Sequence, residues 1–377
     1  MRRTAAADAA GGVIRGYAQT MKLRPGSAPF ATLCSAALAA ASLIGGCGRE
    51  TGEPRAALDG DRAAPDRVRL QLNWIAEPEF GGIFAARAIG AFERRGLEVE
   101  IIQGGPGTPA PQLVAEGRVE FGIVSGDQIL TLREKGGRLA ALFAIFQVNP
   151  TAVMVRREGG AATLEALWRS DARIALEPGL PYITFLNRRF GGERLRLVSA
   201  GGGVAAFESG AVDAQQCFIS AEPAQMDLRG IPVRVFPLAE SGYNPYAAVV
   251  VTREAYLEPL RSGDRTDARP DGRSIAERLT LALREGWEAY QADPGRFNPE
   301  IHQLNRAMSL DAMNLAARIQ HDYVAPTEGL PWGAMTLERW RTLAEQMTEL
   351  GLLERVPGDL ASIVVEIGGD GAREPLP

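Results

Sequence analysis

The stretch from Val68 to Gly96, VRLQLNWIAEPEFGGIFAARAIGAFERRG, limits the fold of this chain more than any other. Val68, Leu70 and Leu72 alternate with Arg69 and Gln71, the period of a strand with one buried face. Asn73 and Trp74 stand where that strand ends, and Pro78 disfavours any regular continuation. Gly81 and Gly82 let backbone come close to whatever lies in front of a helix carrying Ile83, Phe84, Ala86, Arg87, Ile89, Gly90 and Phe92. An aromatic side chain therefore meets a helix N-terminus at the carboxyl end of a strand. In open α/β sheets free N–H groups and loop side chains converge at that place, and ligands bind there.

The alternation continues. Leu97–Ile102 reads as a second strand, GGPGTPAPQ as a loop that turns backbone N–H groups of Gly105, Gly107 and Thr108 outward, and Pro111–Gly117 as a helix. Val119–Val124 is a strand, and Ser125-Gly126-Asp127 caps a helix from Gln128 to Lys135. Strands at Leu139–Gln147 and Thr151–Arg156 flank Asn149-Pro150, a natural crossing from one lobe to another. Beyond it the pattern restarts, with a helix at Leu164–Trp168, a strand at Ala172–Leu176, and a loop in which Tyr182 opens a helix. Strands at Leu195–Ser199, Val212–Ile219 and Val233–Phe236, with a helix at Glu222–Leu228, complete a second sheet covered by helices. ESGYNPYAAVVVT returns the chain through Tyr243 and Tyr246. Apolar stripes then mark packed helices, one through Ile275, Leu279, Leu283 and Trp287, another through Leu337, Trp340, Leu343, Met347 and Leu350.

The 377 residues exceed one ordinary core, so two lobes are expected: lobe 1 at 67–155 plus 250–366, and lobe 2 at 156–249, with a loose tail at 367–377. A net charge of −5 argues against nucleic acid as a partner. The histidines are His302 and His321, outside any HExxH pattern, and the chain contains no CxxC and no GxxxxGK[ST] loop. Metal binding, histidine-based nucleophilic catalysis and nucleotide hydrolysis lack their parts, and no cofactor is expected. The N-terminal segment, 1–47, reads as an address. Lys22 and Arg24 form a basic region, and Phe30–Ile44 is apolar but short of the ~20 residues of a spanning helix. Gly, Ala, Pro and charge without period make 48–66 a flexible tether.

The run LQLNWIAEPEFGGIFAARAIGAFERRGLEVEI resembles the first strand, loop and helix of the periplasmic binding proteins of ABC transporters. It is similar to the group that carries thiamine pyrimidine precursors, nitrate, taurine and alkanesulfonates, and the likeness extends to about Tyr256. Where many pyrimidine-precursor binders place a histidine or tyrosine, this chain has Phe80. LIGGC resembles a bacterial lipobox, which implies lipid attachment at Cys47 and a place on the periplasmic side of a bacterial membrane. The resemblance implies a two-lobe α/β fold of the type II periplasmic kind, hinged at two crossings, with an ABC permease and a separate ATPase subunit as partners. Same-fold enzymes of pyrimidine or menaquinone biosynthesis form the contrasting class. The synthase carries a cysteine cluster and a histidine donor, and here the corresponding AQQCFISAEP offers Cys217 alone. The expectation is a receptor and not an enzyme.

The site residues expected are Asn73 and Trp74 for polar and stacking contacts, and Phe80 as a second wall. Gly105, Gly107, Thr108 and Ser125 would supply backbone and hydroxyl bonds, Tyr182 and Glu222 would come from lobe 2, and Tyr243 or Tyr246 from near the hinge. The loops expected to face the cleft contain no Lys or Arg but carry Glu77, Glu79, Asp127, Glu177, Glu222 and Glu240. Nearby carboxylates repel an anion, so a small flat neutral or amine-bearing ligand is expected, such as a thiamine pyrimidine precursor with Glu222 accepting from its amino group. Nitrate, taurine and alkanesulfonates are the alternative cargo.

Overall fold

The computed structural model describes residues 64–367 apart from 193, 200–202, 260–270 and 328. The address segment, Cys47 and most of the tether lie outside the described residues, as does the tail from 368 onward.

Two five-stranded sheets carry the chain, and they repeat one plan. The first has the order β2-β1-β3-β10-β4 and the second β7-β6-β8-β5-β9. In the first, β1 (Asp66–Gln71) lies parallel to both β2 (Leu97–Ile102) and β3 (Phe121–Val124). β10 (Ala247–Arg253) then runs antiparallel between β3 and β4 (Leu139–Phe146). In the second, β6 (Arg173–Leu176) is parallel to β7 (Arg196–Ser199) and β8 (Ala214–Phe218), and β5 (Thr151–Arg156) runs antiparallel between β8 and β9 (Val233–Pro237). Each sheet thus takes its antiparallel strand from the segment that has just crossed from the other lobe.

This exchange corrects the expected boundaries. Residues 151–155 belong to the second sheet and 247–249 to the first, so the crossings are 147–150 and 238–246. Pro150 has no N–H to give a ladder, and Asn149 turns the chain by accepting from Thr151 N at 3.0 Å, so β5 starts beyond them. Asp66 opens β1 rather than ending the tether, and its carboxylate takes Arg278 at 2.6 Å. The helix expected to continue through Phe92 instead stops at Ala88, because Gly90 adopts φ +71, and a short turn Ala91–Arg94 follows.

Helices cover both sheets. Those used below are α1 (Gly81–Ala88), α2 (Ala110–Ala115), α3 (Gly126–Glu134), α4 (Pro181–Phe190), α5 (Glu222–Leu228), α6 (Gly272–Ala292), α7 (Pro294–Leu304), α8 (Leu310–Val324) and α9 (Leu337–Glu349). The predicted stripe on α6 is buried as expected, with Ile275, Leu279, Leu283 and Trp287 all within the core. α6 crosses α1 at close range: a Cβ on Gly82 would lie 2.4 Å from the Trp287 ring, and one on Gly286 2.2 Å from the Gly82 carbonyl. The C-terminal helices brace both lobes, since α8 packs on α5 and α9 packs on α3 while its end receives Arg188 of α4. No described helix is long and apolar enough to cross a membrane.

Candidate functional site: a cavity between the two sheets

The carboxyl ends of strands from both sheets face a cavity of about 110 Å³, small beside the about 300–1,000 Å³ of sites that take drug-sized ligands. The first lobe contributes Asn73 and Trp74 after β1, Thr108 and Pro111 before and within α2, and Ser125, Asp127 and Gln128 after β3. The second contributes Glu177, Leu180 and Tyr182 after β6, and Gln216 and Phe218 from β8. The crossings add Asn149, Tyr243 and Pro245, and the first residues of the strands they lead into add Thr151 from β5 and Ala247 and Ala248 from β10. Ala248, at the cavity wall, holds φ +50, and farther along β10 the register slips between Val250 and Val251.

Several polar groups of the cavity wall are already bonded to one another. Asp127 is buried and well bonded: Oδ1 accepts from Ser125 Oγ and from Gln128 N at 2.8 Å, and Oδ2 accepts from Tyr243 OH at 2.7 Å. Gln216 Oε1 accepts from Tyr182 OH at 2.6 Å and Glu177 N at 3.1 Å. Burial raises the Tyr182 phenol well above its ordinary value, so that hydroxyl stays a donor. Burial also raises the Glu177 carboxyl. Asn73 Oδ1 is buried without a hydrogen-bond partner, a state that costs ~1–3 kcal/mol unless something donates to it. No Lys or Arg is among the described residues lining the cavity.

Of the residues expected at the site, the structure brings together Asn73, Trp74, Thr108, Ser125, Tyr182 and Tyr243. The others stand elsewhere. Phe80 is fully buried in the first lobe's core, because the turn Pro78–Phe80 aims its ring inward, and Phe218 supplies an aromatic wall instead. Gly105 and Gly107 lie in the turn before α2 and do not line the cavity. Tyr246 lies under the Arg339 guanidinium at 3.9 Å and accepts from Thr336 N, so it serves the hinge. Glu222 does not reach the cavity wall, since its carboxyl turns back to accept from Phe218 N at 2.9 Å.

Glu222 belongs to a second group with Glu77 and Glu79. Burial raises Glu77 to about 8, with the Glu222 charge adding to it, and Asn305 Nδ2 donates to it at 3.4 Å. Burial raises Glu222 to about 7 and Glu79 well above the usual range. Burial lifts the Cys217 thiol well above its ordinary value, which leaves it no thiolate for nucleophilic chemistry. No group of three or more His, Cys, Asp or Glu suited to a metal occurs among the described residues.

Gln128, Gln216 and Phe218 were not expected at the site from the sequence, and Glu177 was expected only as one of the carboxylates on the cleft-facing loops. Glu177 does follow the strand-end rule, because it stands just past the carboxyl end of β6, whereas Gln216 is the central residue of β8. A wider hollow of about 280 Å³ beside the hinge is lined by Asn244, Thr336 and Arg339. Arg339 there is committed to the two crossings, donating to Gln147 O, Asn244 O and Pro245 O, so the hollow is a seam of the hinge.

Solved structures of this architecture include the periplasmic aliphatic sulphonate binding protein SsuA from Escherichia coli. It is 14% identical with a TM-score of 0.59, over 83% of this chain and 97% of that one. The alkanesulfonate-binding protein SsuA from Xanthomonas axonopodis pv. citri, bound to MOPS, is 14% identical with a TM-score of 0.56, over 81% and 99%. At that identity they establish the periplasmic-binding-protein fold. A putative thiamine biosynthesis protein from Haemophilus influenzae is 27% identical over 106 residues, 28% of this chain, and the match spans only 33% of that relative's length. The model of the family described as NMT1/THI5 like matches residues 77–296, more than half of the chain and nearly all of both sheets. This protein therefore belongs to the NMT1/THI5-like family.

Proposed function

We propose that this protein is the extracytoplasmic receptor of an ABC importer, closing two lobes on a small flat neutral or amine-bearing ring such as a thiamine pyrimidine precursor. The cavity carries this reading. It lies between both sets of strand ends, has Trp74 and Phe218 in its walls, and presents the carboxyls of Asp127 and Glu177 with no lining cation. Aromatic faces favour a flat ring. A buried anion needs cationic or abundant N–H donors, and two nearby carboxyls oppose it. Glu177, and not Glu222, stands where it can accept from an amino group. The thiamine-named relative supports the same ligand class.

In this reading Cys47 carries the lipid that holds the receptor on the membrane, the segment from 48 up to the start of β1 tethers it, and a permease with its separate ATPase subunit receives the cargo. The sulfonate carried in the names of the structural relatives favours a second reading, anion transport. Calorimetric titration of the soluble domain decides between them. The proposal expects binding of 4-amino-5-hydroxymethyl-2-methylpyrimidine and none of taurine or nitrate. Tight taurine or nitrate binding without a response to the pyrimidine refutes it.

A further inference from the structure

Two glutamines line the cavity, Gln128 from the first lobe and Gln216 from the second, and backbone hydrogen bonds fix which end of each amide is free. The atom of Gln216 that meets Glu177 N at 3.1 Å must be the oxygen, because a backbone N–H can only donate. Tyr182 OH occupies the same oxygen at 2.6 Å, so both of its lone pairs are taken. The Ser125 N–H at 3.3 Å likewise makes Oε1 the occupied end of Gln128, as the reciprocal half of a helix cap. In each residue Nε2, with two N–H groups, is left as the polar end not engaged by these bonds.

We propose that Gln128 and Gln216 form a paired donor clamp, one amide from each lobe, that selects an uncharged ring bearing hydrogen-bond acceptors on two separate edges. The inference rests on the cavity being the ligand site and names the chemistry read there. Ring nitrogens or carbonyl oxygens are such acceptors. A ring holding one at each edge satisfies both amides only when the lobes are together, so recognition and closure are the same event. The remaining cavity groups suit the rest of such a ligand: Asn73 Oδ1 and the Glu177 carboxyl accept from an amino group, and Trp74 and Phe218 flank a ring. Tyr182 acts through Gln216 as a positioning residue, since its hydroxyl helps hold the amide oxygen away from the ligand. The capped start of α3 does the same for Gln128.

The test compares two probes of one shape: 4-amino-5-hydroxymethyl-2-methylpyrimidine and its benzene isostere, 2-amino-4-methylbenzyl alcohol, which has C–H in place of both ring nitrogens. A site built to hydrogen-bond a ligand rejects an analogue that leaves its buried groups unpaired, so the parent chain should bind the pyrimidine at least about 30-fold more tightly. Gln216→Met and Gln128→Met should each cut that preference about tenfold, while the affinity for the isostere stays within about threefold. The parent comparison needs no substitution and stands even if a variant unfolds. Equal binding of the two rings, or full preference retained in both folded variants, overturns the clamp while leaving the ring-binding receptor in place. Binding of taurine or nitrate with no response to either ring overturns both readings together.

Discussion

Glu77, Glu79 and Glu222 make the stability of this protein depend on pH in a direction opposite to that of most carboxylates. A carboxyl whose folded value is raised binds a proton more tightly in the folded chain than in the unfolded one. Its contribution is therefore present below the ordinary value of 4.5 and is lost as the pH rises through the folded values of about 7 for Glu222 and about 8 for Glu77. For Glu222 alone, the loss between about pH 5 and about pH 8 is about 2 kcal/mol. Glu77 adds to it by less than its own full amount, because ionising one member of the group raises its neighbour. The carboxylates held low by arginines do not enter this window. Glu120 beside Arg69, Asp213 beside Arg173 and Asp359 beside Arg133 lose their contributions only as the pH falls below the ordinary carboxylate range. Urea unfolding followed by tryptophan fluorescence at pH 5, 6.5 and 8 should show the parent chain weakening at each step. Glu222→Gln keeps an oxygen for Phe218 N and removes the titration. It should match the parent near pH 5 and exceed it by about 2 kcal/mol near pH 8. A parent chain as stable at pH 8 as at pH 5, or a variant that falls as steeply as the parent, refutes the account.

Trp74→Ala removes an aromatic face from the cavity and should weaken binding of the aminopyrimidine about ten- to a hundred-fold, since one ring stack is worth ~1–3 kcal/mol, with the unfolding midpoint little changed. Unaltered affinity by calorimetry would make the indole a packing residue. Gly286→Ala puts a methyl 2.2 Å from the Gly82 carbonyl, where backbone and not a mobile side chain must yield. It should cost about 3 kcal/mol or more in denaturant unfolding, and a loss under about 1 kcal/mol would mean that α1 and α6 separate easily. Cys47→Ser should move the protein from the membrane fraction to the soluble fraction, because acyl anchoring at ~0.8 kcal/mol per buried CH₂ has no substitute in the acidic body. Membrane retention of that variant contradicts the lipobox reading.

Much of the architecture was legible because period and punctuation are local. The alternation of Val68, Leu70 and Leu72, the Asn149-Pro150 break and the apolar stripe of every fourth residue ending at Trp287 each became the element expected of them. Strand limits at Thr151–Arg156 and helix limits at Leu164–Trp168 and Glu222–Leu228 agree to the residue. Sheet membership was not legible. Whether β5 pairs with the strands before or after it depends on edges hundreds of atoms away, and nothing in TAVMVR records which lobe will take it. The strand-end rule likewise placed Asn73, Trp74, Ser125 and Tyr182 at the cavity, because a strand's carboxyl end is a matter of sequence order. It could not say which way a loop side chain turns. Phe80 went into the core, and Glu222 folded back onto Phe218 N to leave Glu177 as the second lobe's carboxyl in the cavity wall. Those choices come from burial and from hydrogen bonds between residues such as Glu177 and Gln216, 39 positions apart, which meet only when both strands are in one sheet.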